Sequence, residues 1–196
     1  MSRYRRLNDL LELLAADGQL TVQRAAGALG VSAATAEVAA WCHQRGVWVE
    51  AELGEIGGKD GVHAAGARTR PQDAVAYVGA TGVDALAVAV GSSHAMLTRD
   101  AVIDFDLIGR IRAGVPAAVP LVLHGSSGVP DAALGKAILA GMTKINIATQ
   151  LNKVFTAAVR ERLAADERLV DPRQYGAAGR DAVAAEVTRL LKVLQP

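Results

Sequence analysis

Near the start of the chain the apolar positions fall at helical spacing. Leu7, Leu10, Leu11, Leu13 and Leu14 recur along one side, with Asn8, Asp9 and Glu12 opposite. Gly18 ends that pattern, and Thr21 suits the N-cap of a short helix over 22–29. Gly30 makes a turn, and Ser32 suits the cap of a third helix running through Thr35 and Val38 to about Gln44. This order of helix, short helix, glycine turn and capped helix is that of a helix-turn-helix.

After Arg45 the period changes. Strands, mostly apolar, are expected over 47–53, 85–90, 120–124 and 144–149. Helical stretches follow them, over 71–79, 104–113, 131–140 and 151–164, and an amphipathic helix over 181–194 closes the chain. Such strands alternating with helices indicate buried parallel strands in βα units. The fold class is α/β, and four βα units amount to half of a (β/α)8 barrel. A complete barrel takes about 250 residues, more than the 196 present. By pattern alone an open four-stranded parallel sheet is the other solution. Either way the outer strands, 47–53 and 144–149, carry unpaired edges, so pairing between copies of the chain is expected.

The composition, 51% hydrophobic and 21% charged, is that of an ordinary globular protein rather than a disordered one. With 21 Lys+Arg against 20 Asp+Glu, the chain has no charge excess to draw it to nucleic acid or an anionic membrane. No apolar run approaches the roughly 18 residues of a spanning helix. The basic start, Met1-Ser2-Arg3-Tyr4-Arg5-Arg6, leads into Asn, Asp and Glu rather than the apolar core of a signal peptide. Cys42 is the single cysteine, so no internal disulfide forms. A cytoplasmic location is the expectation.

Candidate chemistry gathers after the predicted strands. His94, in Gly91-Ser92-Ser93-His94, and His124, in Leu121-Val122-Leu123-His124-Gly125, follow the second and third strands. Ligands bind at the carboxyl ends of strands in α/β sheets and barrels. Two imidazoles there either share a cation such as Zn2+ or hydrogen-bond loop backbone. Gly125-Ser126-Ser127-Gly128 precedes a helix, and is either an anion cradle or a plain βα turn. Asn146 and Thr149, placed at the end of the fourth strand, add donors. Glu50 and Glu52 share one face of their strand, plausible as the barrel interior. Gly57-Gly58-Lys59-Asp60-Gly61 fits neither a Walker nor a dinucleotide fingerprint and reads as a loop beside the site. Cys42 has no neighbouring His or Asp in sequence and reads as a packing residue.

Taken in order, several stretches resemble class II, zinc-dependent fructose- and tagatose-bisphosphate aldolases. They are Val49-Glu50-Ala51-Glu52-Leu53-Gly54 with the glycine loop 57–61, the run from Gly82 to His94, Leu121 through Pro130, and Lys144-Ile145-Asn146-Ile147-Ala148-Thr149. The resemblance runs from about Thr35 to the C-terminus and implies the last four βα units of a TIM barrel, a domain over 35–196. It implies Zn2+ as cofactor with His94 and His124 as two ligands. It further implies that Gly125, Ser127, Asn146 and Thr149 hold the phosphate of a ketose bisphosphate or of dihydroxyacetone phosphate. Glu50, Glu52 and His63 are possible site-lining residues. The family's proton-carrying Asp and its remaining zinc His form an adjacent Asp-His pair, which has no counterpart in this sequence. No catalytic residue is therefore assigned. Ala95 also stands where the family usually has Gly.

Residues up to about Ala34 are similar to the helix-turn-helix of DeoR-type sugar regulators, through Arg6-Leu7 to Leu13-Leu14-Ala15, Gly18-Gln19-Leu20-Thr21-Val22 and Leu29-Gly30-Val31-Ser32-Ala33-Ala34-Thr35. Where those regulators carry an Arg pair, this chain has Ala36-Glu37-Val38. Phosphate and base readout needs Arg or Lys on that helix, so DNA is not an expected partner. The combined expectation is an aldolase-family protein, impaired in zinc-dependent cleavage of a ketose bisphosphate as a lone chain. The other readings are a sugar-phosphate-responsive DNA-binding regulator and a non-catalytic oligomerising remnant.

Overall fold

Helix and strand alternate through the computed structural model, which describes residues 31–54, 68–94 and 96–195. The order is α1 (Val31–His43), β1 (Glu50–Leu53), α2 (Pro71–Thr81), β2 (Ala85–Val88), α3 (Phe105–Gly114), β3 (Leu121–Leu123), α4 (Asp131–Ala140), β4 (Met142–Ile145), α5 (Thr149–Ala165) and α6 (Pro172–Val193). A single 3-10 turn, Ser126–Gly128, follows β3. The expected helices of residues 1–30, the loop 57–61, His63 and Ala95 lie outside the described residues. Helix α1 runs through Thr35 and Val38 to His43, close to the third helix expected from the sequence.

The strands form one sheet in the order β1-β2-β3-β4, every pair parallel. Each neighbour is reached through a helix, which is the βα arrangement of a partial barrel. β1 and β4 are its outer strands. Among the described residues no helix is long and apolar enough to cross a membrane.

The two faces of the sheet differ in residue size. Leu86, Val88, Leu121 and Leu123 pack with Val78, Leu107, Ile108, Ile111 and Leu134 from the helices, all buried. Each such side chain contributes about 1.5–3 kcal/mol when taken out of water. The opposite face carries a small buried cluster of Ala85, Ala87 and Val122. Register places Glu50 beside Ala85, Glu52 beside Ala87, and Lys144 beside Val122. Alternation along strands therefore puts Glu50, Glu52 and Lys144 on the small-residue face. On that face Glu50 and Lys144, from the two outer strands, form a 2.8 Å ion pair. In a flat sheet three strand spacings would hold them roughly 14 Å apart, with side chains standing parallel to one another. The sheet is curled about this face, as a barrel segment must be.

Two boundaries differ from expectation for visible reasons. β4 starts at Met142, directly after the positive-φ Gly141 that ends α4, because Met142 is buried and begins the pairing with Leu121. Consequently Thr149 is the first residue of α5 rather than a strand end. α6 starts at Pro172, well before the expected Asp181, because Asp171 caps it by accepting from the Arg173 N–H. Gly176 and Gly179 obscure that first half in sequence. Gly179 lets the Phe155 ring of α5 pack closely, since a Cβ there would lie 2.5 Å from it and the ring would have to shift.

Candidate metal centre

Two glycines bring the histidines together. Gly91, just past β2, has φ +122, and a side chain there would run into the Val102 carbonyl. The chain then passes through Ser92, whose hydroxyl donates to the His124 carbonyl at 2.6 Å. That bond ties the loop carrying His94 to the end of β3. Gly125, in the left-handed region at φ +65, lies directly against the Ser93 backbone. The imidazole centroids of His94 and His124 come to 5.7 Å, with planes tilted by 60°.

Carboxylates from β1 complete the group. Glu52 Oε2 lies 2.6 Å from His124 Nδ1 and 3.8 Å from His94 Nε2. Glu50 Oε1 lies 3.0 Å from His124 Nε2. The second oxygen of Glu50 accepts from Lys144 Nζ, which also donates to Asn146 Oδ1 at 2.8 Å. Burial on its own pushes the Glu50 carboxyl up, but hydrogen bonds from Lys144 and His124 outweigh it and hold the group below its ordinary value.

Glu52, His94 and His124 can each offer one ligand atom, all within 4.8 Å of one another. Tetrahedral bonds of 2.0–2.1 Å set donors about 3.4 Å apart. The Glu52 distances to the two histidines, 2.6 and 3.8 Å, bracket that value. Two imidazole nitrogens and one carboxylate oxygen make a donor set suited to a transition-metal dication, with room for a further ligand.

A cleft of about 540 Å³ opens beside this group. It is lined by His94 and His124, by Gly125 and Ser127 of the Ser–Gly turn, and by the run from Ile145 to Thr149. Ser127 Oγ accepts the Gln150 N–H at 3.0 Å, capping α5 from outside its own chain segment, since Ala148 at the N-cap has no side-chain acceptor. Ala148 and Thr149, at the start of α5, line the same cleft as the Ser–Gly turn.

His43 and Cys42 belong elsewhere. His43 Nε2 lies 2.8 Å from Asp84 Oδ2, and Asp84 also accepts the Val49 N–H, at the end of the strands remote from His94 and His124. Cys42 is half-buried on α1. Lys144 was not singled out in the sequence, although its parity with Asn146 marks it for the same face.

The family model for class-II fructose-bisphosphate aldolase matches residues 32–196. Among solved structures the chain is similar to the YdjI aldolase from Escherichia coli K12, at 35% identity and a TM-score of 0.69. That match covers 84% of this chain and 55% of the other. The fold is also similar to fructose-bisphosphate aldolase (Fba) from Campylobacter jejuni, at 19% identity and a TM-score of 0.68, covering 83% of this chain and 56% of the other. The chain therefore spans about half the length of these relatives. Because the family match takes in every described strand and both clustered histidines, the chain belongs to the class-II fructose-bisphosphate aldolase family.

Proposed function

We propose that this chain binds Zn2+ through His94, His124 and Glu52, and beside it the phosphate end of dihydroxyacetone phosphate or of a ketose bisphosphate. The observation that carries this reading is the common cleft: the imidazole pair and the Ser–Gly turn line one opening. Nitrogen-rich donors favour zinc over calcium or magnesium, which prefer all-oxygen shells. Zinc held there supplies Lewis-acid polarisation of a ketose carbonyl.

The chain's own residues do the rest of the binding. Gly125 permits close backbone approach to a phosphate, Ser127 and Thr149 offer hydroxyls, and the Asn146 amide adds a donor. Aldol cleavage needs in addition a group that exchanges a proton with the aldehyde oxygen. No residue of the cluster stands out for that role, and the 196 residues hold no Asp-His pair. The proposed activity of this chain by itself is binding with negligible turnover.

Metal analysis of the purified chain, with and without a dihydroxyacetone phosphate analogue, tests the reading. One equivalent of zinc, lost in His94→Ala and held more tightly with the analogue, is the expected result. A chain that takes up no zinc overturns it. Zinc-dependent aldolase turnover abolished by His94→Ala would overturn the negligible-activity part alone.

A second reading concerns partners. Among the described residues β1 and β4 each pair on one side only, and Trp41 and Trp48 are half exposed on the segment leading into β1. Copies of the chain are proposed to associate through these edges.

A further inference from the structure

His124 is flanked by carboxylates on both ring nitrogens, and the two carboxylates are not equivalent. Glu52, at Nδ1, also approaches His94. Glu50, at Nε2, has its other oxygen taken by Lys144. A cation shared with His94 and Glu52 therefore meets His124 on its Nδ1 side. Metal-bound histidines generally donate their remaining N–H to a carboxylate, which fixes the tautomer and raises ligand basicity. Glu50 stands in that position.

We infer that Lys144 is a positioning residue for the metal centre, acting through Glu50 to hold His124 in the tautomer that presents Nδ1 to the cation. This rests on the zinc-binding reading above. The geometry makes Lys144 more than a surface charge. It stands on β4 and Glu50 on β1, so their ion pair spans the curled face and the salt bridge sets how far Glu50 can swing from Nε2. Without Lys144 the carboxylate is free to turn toward solvent or toward the cation itself, and either movement leaves the Nε2 N–H without its acceptor and the tautomer unfixed. The bond from Lys144 to Asn146 joins the same strut to the phosphate side of the cleft. A ligand's orientation thus depends on a contact between the two outermost strands.

Zinc alone is the probe. Competition titration of the full chain against a chelator should show Lys144→Met binding zinc more weakly than the native chain, by up to the roughly 10–100-fold that loss of the ligand's own hydrogen-bond partner costs. Lys144→Arg, which keeps the charge, should recover most of that loss. Nitrogen-15 spectra of the imidazoles in the zinc-bound native chain should show His124 ligated through Nδ1 with its proton on Nε2, and a mixed pattern in Lys144→Met. If Lys144→Met does not fold, Glu50→Gln, which keeps the shape and removes the anion, should show the same weakening. Native-like zinc affinity in these variants, or Nε2 ligation in the native chain, overturns the inference while leaving zinc binding intact. Absence of zinc binding in the native chain overturns the reading beneath it.

Discussion

Gly125 lies so close to Ser93 that a Cβ on it would sit 2.5 Å from the Ser93 carbonyl oxygen. Both residues adjoin histidines of the cluster, Ser93 preceding His94 and Gly125 following His124. The approach therefore sets the spacing of the imidazoles. Gly125→Ala has to hold a left-handed φ, a strain of roughly 1–3 kcal/mol, and to push the two loops apart as well. Its urea midpoint should fall by at least that equivalent, and its zinc affinity should drop with it. An unchanged midpoint would show that the loops yield without cost.

Ser127 separates the two halves of the proposed site. Its hydroxyl caps α5 through Gln150 and lines the cleft, yet it touches none of the clustered metal donors. Ser127→Ala should weaken titration by inorganic phosphate by about tenfold or more, since a hydrogen bond to a charged group is worth about 1.5–3 kcal/mol. Loss of the cap should cost a further ~0.5–2 kcal/mol of stability. Zinc affinity should stay at the native level. A parallel loss of zinc would mean that the turn supports the metal centre rather than an anion.

Local signals carried most of the fold. Helix α4 coincides with the stretch expected, because Pro130 before it and Gly141 after it punctuate the chain. β2 is a run of four fully buried apolar residues, legible by composition alone. The misplaced elements are those whose cause lies elsewhere in the chain. Met142 joins β4 because it pairs with Leu121, and Gly179 sits in α6 where the Phe155 ring of α5 packs against it. The site follows the same division. Strand-end placement marked His94 and His124, and parity marked Glu50 and Glu52. Lys144 gains its place only when the sheet curls enough to bring the first and fourth strands within one ion pair.

The open edges lead to a measurement of mass. β1 and β4 present backbone groups unpaired by any other described strand, and Val38, Trp41, Val47 and Trp48 place exposed apolar surface just before β1. Light scattering at micromolar concentration should report a mass well above the 20.3 kDa of one chain. Trp48→Lys puts a charge beside the β1 edge, a device that blunts strand pairing, and should shift the population toward monomer. A native chain that scatters as a monomer would rule out association through these edges.

Acid sensitivity should come from the ion-pair network that fastens α6 to α4 and α5. Asp131, the first residue of α4, pairs with Arg99 at 2.6 Å and with Arg189 of α6. Arg189 also holds Glu186, which accepts from the Gln150 amide of α5. Burial raises the Asp131 carboxyl, and the hydrogen bonds from Arg99 and Arg189 overcome it, so its net position is below the usual value. The Arg189 hydrogen bond lowers Glu186 against a smaller opposing effect of burial. A carboxyl depressed in the folded state stabilises fully above its unfolded pKa and loses that contribution as pH falls through the folded one. The network's share should therefore be complete at pH 7 and decline below about pH 4. Solvent reaches these groups, so each pair is worth only about 0.2–1 kcal/mol. Urea midpoints measured from pH 7 down to pH 3 should fall on the acid side, and the fall should be shallower in Asp131→Asn, which has less to lose. A variant with the same slope as the native chain would place the acid sensitivity in other carboxylates, Glu50 first among them.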